Sequence, residues 1–168
     1  IEVSLVSKSI TKSATAGGTN GTATSTAEAQ FVLRVKAVGG DIVLGDAGST
    51  TVPFVSNAGG SHDDGLSFTV YRGGTAVSTG TASSTSLTVP SGVASVTNNS
   101  FTIQEGNTVD IPVSFLFEGR TSAGVLVTTG SYAVGISQLN WVSSAAGIQS
   151  SDFMAGNSAW RTSTVALP

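Results

Sequence analysis

The chain has no cysteine, one histidine and four prolines, and few of its residues carry charge. Without cysteine the redox compartment goes unmarked, and the fold must be held by packing and hydrogen bonds alone. One imidazole and no thiol cannot supply the nitrogen and sulfur ligands of a transition-metal site. Charged residues make up 10% of the sequence, against about 25% in a typical soluble domain. Seven scattered Lys and Arg against ten Asp and Glu give a net charge of −3. That balance argues against binding a phosphate backbone, which depends on clustered basic residues. No apolar run approaches the roughly 18 residues of a membrane-spanning helix, so no membrane span is expected. Neither a P-loop nor a glycine-rich dinucleotide pattern is present.

What the chain does have is hydroxyl and glycine: 26 serines, 22 threonines and 21 glycines. Such composition alone would suit a disordered segment, but 39% of the residues are hydrophobic and the net charge is small. The chain should therefore fold. Its 168 residues suffice for one domain that buries roughly 70% of its unfolded surface. So few charges also mean weak repulsion between copies, which favours association. The sequence starts at Ile1 without a signal peptide, and we expect an export signal to have been removed and the protein to be extracellular or at the cell surface.

Period-2 alternation is the main structural signal. Ala29, Phe31, Leu33, Val35 and Ala37 share one face of a strand whose other face carries Glu28, Gln30, Arg34 and Lys36. Val109, Ile111, Val113, Phe115 and Phe117 repeat the pattern against Asp110, Pro112 and Ser114. Both read as half-buried strands. Shorter strands are expected at 41–45, 51–55, 66–71, 86–89, 100–104, 123–128, 131–141 and 159–167. The parity flip between Ile136 and Leu139 predicts a bulge near Ser137, and Gly73-Gly74 suits a tight hairpin. Pro112 cannot donate to a ladder, so its strand should lie at an edge or carry a bulge. With no convincing helix and about ten strands broken by regular turns, the expected fold is all-β, a two-sheet antiparallel β-sandwich of immunoglobulin-like or jelly-roll-like type.

The first 26 residues stand apart. Residues 1–12 read as a strand, and residues 13–26 form a Ser/Thr/Gly-rich stretch that suits a flexible linker; residues 27–168 would be the sandwich domain. The opening strand has two readings, a partner for its own domain across a long loop or a strand donated to another chain. Ile1, Val3 and Leu5 would fall on one face, with Val6 and Ile10 on the other, so that both faces need cover. These five residues are the candidate subunit interface.

Other candidates are weaker. His62-Asp63-Asp64 is the one cluster of titratable residues in a single loop, but neighbours on such a loop cannot form a catalytic relay among themselves. Asp63 and Asp64, with Asp41 or Asp46, leave a calcium site open, although Asp-Asp-Gly is also ordinary turn chemistry. No other cofactor is indicated. Glu2, Glu28, Glu105 and Glu118 read as solvated residues rather than a glycosidase pair. Tyr71 falls opposite Leu66, Phe68 and Val70 and is expected on the surface. Tyr71 and Trp141 are therefore the candidate platforms for a glycan or cell-wall ligand, with Tyr132 and Trp160 further aromatics. Lys8, Lys12 and Lys36 offer amines for an isopeptide crosslink. Asn20 and Asn98 begin glycosylation triplets of the number chance would give.

The run from Ser100 to Val113 contains Phe101-x-Ile103-x-x-Gly106-x-x-Val109-x-Ile111 and resembles a hairpin of immunoglobulin-like sandwich domains in bacterial surface proteins. The opening strand and its linker are similar to the donor strand of chaperone–usher pilus subunits. Those subunits commonly carry a disulfide that this chain lacks, so the resemblance implies a mode of assembly rather than membership. Together these features lead us to expect a non-enzymatic structural subunit of an extracellular filament, pilus or surface layer, pairing with copies of itself by strand donation. The alternative is a monomeric adhesin or carbohydrate-binding module.

Overall fold

The computed structural model describes residues 1–15, 24–44, 65–77, 81–88, 90–94, 96–97, 100–121, 130–143, 147–151 and 154–167. Among these residues twelve strands follow one another: β1 (Glu2–Thr15), β2 (Thr24–Lys36), β3 (Ile42–Leu44), β4 (Leu66–Arg72), β5 (Thr75–Ala76), β6 (Thr81–Leu87), β7 (Val96–Thr97), β8 (Ser100–Ile103), β9 (Thr108–Thr121), β10 (Gly130–Ser143), β11 (Gly147–Ser151) and β12 (Val165–Leu167). The one helical element among the described residues is a 3-10 turn, Ser158–Trp160. The expected strand over 159–167 is thus corrected. Asn157 caps the turn by accepting a hydrogen bond from the Ala159 amide, and the strand begins only at Val165. The expected strands at 51–55 and 123–128 lie outside the described residues, as do Asp46, His62, Asp63 and Asp64.

The chain is all-β, and the strands form two antiparallel sheets. The smaller sheet has the order β1-β2-β9-β6. Its centre is the pair read most directly from alternation. Ala27, Ala29, Phe31, Leu33 and Val35 stand opposite Phe117, Phe115, Val113, Ile111 and Val109, and all ten are buried. Small residues face large ones, so the rings of Phe115 and Phe117 fill the space that Ala29 and Ala27 leave.

The larger sheet is organised around β10. Along one side β10 pairs first with β4 and then with β3, which continues to β8 and β7; along the other it pairs with β12 and then β11. The register between β10 and β4 shifts between Ile136 and Gln138, which is the bulge the parity flip predicts at Ser137. β4 and β5 are joined by Gly73 and Gly74, at φ +56° and +85°, between the paired residues Arg72 and Thr75. Two successive positive φ angles make a type I′ turn, which matches the twist of the strands it joins.

Buried side chains of both sheets belong to one hydrophobic cluster. Phe68 of β4 lies 5.9 Å from Phe31 of β2 and 5.0 Å from Phe115 of β9, and Phe117 of β9 lies 5.9 Å from Tyr132 of β10, centroid to centroid.

Pro112 sits within β9, which lies between β2 and β6 rather than at an edge; β9 does carry an irregularity, a register shift against β6 between Phe117 and Thr121, but away from Pro112. Its carbonyl accepts from the Thr88 amide, on the β6 side, one residue beyond the last β6 pair at Val113. The amide and carbonyl of a residue in an antiparallel strand point to the same side. The missing N–H therefore faces the side on which β6 has ended, and the ladder to β2 loses nothing.

On the outer face of the smaller sheet, Arg34 and Asp110 stand directly opposite and bond through two parallel contacts of 2.7 Å each. The hydrogen bond from Arg34 holds the Asp110 carboxyl below the usual carboxylate range. A depressed pKa stabilises the fold above the unfolded-state value and loses that effect as pH falls through the folded-state value. Both groups are solvent-exposed, so the effect is small. In urea unfolding at a series of pH values, Asp110→Asn should be slightly less stable than the parent near pH 7, and the gap should close below about pH 4.

Candidate functional site

The opening strand is the most informative element. In this structure β1 pairs with β2 of its own chain over thirteen residue pairs, from Glu2 opposite Lys36 to Thr15 opposite Thr24. Both strands reach into the stretch read as linker, which leaves residues 16–23 between them. Thr and Ser are compatible with extended backbone, and pairing along a hairpin overrides their appearance as linker residues.

The expectation that β1 has two apolar faces is corrected. The register shifts between Leu5 and Ser7, so Val6 is an extra residue with no partner, a β-bulge. A bulge resets parity. Ile1, Val3 and Leu5 lie on the core side before it, and Ile10, opposite buried Ala29, lies on the same side after it. All four are partly buried and pack against their own core. Val6 alone of the five candidate interface residues projects outward, at 47% exposure.

The same reset brings Lys8 and Lys12 to the core side of β1, opposite buried Phe31 and Ala27. Their ammonium groups stay exposed and meet main-chain carbonyls near the end of the chain. Lys8 Nζ donates to Ser158 O at 3.1 Å and Ala159 O at 2.7 Å, and Lys12 Nζ donates to Ala166 O at 3.0 Å. Ser158 O also accepts from the Arg161 amide at 3.2 Å, so Lys8 adds a charged donor at the end of the turn, where lysine is favourable. Lys36 instead meets Glu2, at 3.2 Å. None of these contacts is the lysine–Asn or lysine–Asp pairing of an isopeptide bond. Beside the bulge, an open groove of about 630 Å³ is lined by Val3, Leu5, Val6, Lys8, Ala159 and Trp160.

The aromatic candidates fare differently from expectation. Tyr71 is 7% exposed, not a surface platform. It does lie on the face away from Phe68, but Arg161 covers it, with the guanidinium carbon 3.7 Å from the ring centroid. Arg161 reaches the ring by bridging to Gly135 of β10, and its Nη2 donates to Gly156 O. The next residue, Thr162, continues the attachment by exchanging hydrogen bonds with Val134. Trp141 is half-buried and packs on the core, and Trp160 is buried. Among the described residues no three His, Cys, Asp or Glu side chains come together as a metal site. Asp41 is engaged in a turn, accepting from the Glu105 amide at 2.8 Å.

No protein-family model, no curated protein and no solved structure matches this chain.

Proposed function

We propose that this protein is a structural subunit of an extracellular filament, pilus or surface layer, and that its two sheets are the layers of an immunoglobulin-like or jelly-roll-like sandwich. In the assembled form β1 of one copy occupies, in a neighbouring copy, the place it holds here in its own. The observation that carries the reading is the attachment of β1. It is an edge strand held by one ladder, by four half-buried apolar side chains and by two lysines. The ring contacts between the two sheets support the sandwich.

Exchange suits this edge better than addition of a further strand. A bulge and inward-facing charged residues are both devices that discourage a new strand from pairing with an open edge, and β1 carries both. Replacing β1 by its equivalent from another copy retains every contact. The eight residues 16–23 between the strands, Ala-Gly-Gly-Thr-Asn-Gly-Thr-Ala, span up to about 28 Å when extended, enough to open the hairpin. Exchange that does not close on itself yields an open chain of subunits. The covered Tyr71 and half-buried Trp141 remove the support that exposed aromatics would lend to the adhesin alternative.

Because the protein has no cysteine of its own, engineered pairs report without background. Ser9 and Gln30 are directly opposite and exposed. Cross-strand neighbours at such positions lie within disulfide range. Oxidised assemblies of Ser9→Cys/Gln30→Cys are expected to run as covalent ladders in denaturing, non-reducing gels. Monomers carrying an internal disulfide, recovered from assembled material, would refute strand exchange.

A further inference from the structure

We infer that Lys8 and Lys12 are the residues that determine the register of the second half of β1, by holding the bulge at Val6 in place. A bulge uncouples the two halves of a strand, so the register of Ile1 to Leu5 does not dictate that of Ser7 to Thr15. Without the bulge, Val6 would pair with Val32 and Ser9 with Ala29. Lys8, Ile10 and Lys12 would then all face outward. Apolar patterning resists this alternative weakly, because Ile10 is the only large apolar residue after the bulge, and a strand polar on both sides specifies register poorly.

The lysines supply the missing discrimination. Their four-residue spacing places two ammonium groups on one side of the strand, at the carbonyls of Ser158 and Ala159 and at that of Ala166. A one-residue slip turns both away from these acceptors, and a two-residue slip moves them by about 7 Å along the strand. In either case the charge-assisted bonds are lost. The carbonyls belong to the main chain, so they read lysine at these two positions whichever copy supplies the strand. The inference thus stands whether β1 pairs within or between chains, and it identifies what a strand must carry to seat beside β2.

The test uses two cysteine pairs in the full-length chain. Ser9→Cys/Gln30→Cys reports the bulged register, and Ser9→Cys/Ala29→Cys reports the bulge-free one, in which those two positions become neighbours on one face. With both lysines present, only the first pair should oxidise. In a Lys8→Ser/Lys12→Ser background, which removes all three lysine hydrogen bonds, the second pair should also close, its yield rising at least about tenfold. Lys8→Arg/Lys12→Arg, which retains the donors, should restore oxidation of the first pair alone. If the double serine variant fails to fold, Lys12→Ser is read with the same pairs. The inference is overturned if the serine background still closes only the first pair, and equally if neither pair closes while the rest of the domain stays folded. The readout is the pair that closes, not the number of chains joined, so it is independent of the strand-exchange result.

Discussion

Phe117→Ala should lower the free energy of unfolding by about 3–5 kcal/mol, measured by urea denaturation with an unchanged m-value. The ring is fully buried and sits 6.3 Å from Phe115 and 5.9 Å from Tyr132, so it touches side chains of both sheets. Opposite it on β2 stands Ala27, too small to move into the vacated space. The cavity would stay open, and that is the costly case for a large-to-small change. Domains of this kind have total stabilities of about 5–15 kcal/mol, so the variant would lose a large share. Phe117→Leu, which retains most of the volume, should cost less than half as much. A loss below about 1 kcal/mol for the alanine variant would mean that the contact between the sheets does not depend on this ring.

The second large effect is expected at Gly135. A Cβ there would lie 3.0 Å from Tyr71 Cε2, 3.4 Å from the Trp160 carbonyl oxygen and 3.7 Å from Arg161 Cβ. The glycine leaves room for the segment carrying Arg161, which runs antiparallel beside β10 here, and for the Tyr71 ring. Gly135→Val would force that segment off the sheet, at a cost of about 1–3 kcal/mol or more. It should also uncover Tyr71, giving a quencher-accessible tyrosine fluorescence in a Trp160→Phe/Trp141→Phe background. Parental values of both stability and tyrosine accessibility would refute the close approach of Tyr71 and Trp160 to Gly135.

The central ladder was legible because β2 and β9 alternate over more than ten residues each, and only one phase of such a pattern buries its apolar side. The bulge at Ser137 could also be read, since substantial apolar residues on both sides of it declare their phase. The bulge at Val6 sends the same signal, but the residues after it read Lys-x-Ile-x-Lys, which looks like a polar face interrupted by one isoleucine. Recognising it needed the carbonyls of residues 158, 159 and 166, some 150 positions away in the sequence. Tyr71 failed for a similar reason. Its alternation correctly put it opposite Phe68, but the cover comes from Arg161, in a segment with no apolar rhythm. Periodicity tells which side of a strand a residue occupies, and it does not tell what lies on top.

The lysine contacts also set how the molecule would respond to tension. Lys12 is held at Ala166, within the last described strand, while Ile1 lies eleven residues away along β1, roughly 35–37 Å for extended backbone. A load applied between residue 1 and residue 167 would therefore run nearly parallel to β1. Pulled in that direction, the strand must slide past β2, and its hydrogen bonds share the force at once instead of opening one after another. In the assembly proposed above, the exchanged strand would thus be loaded in its stiffest direction.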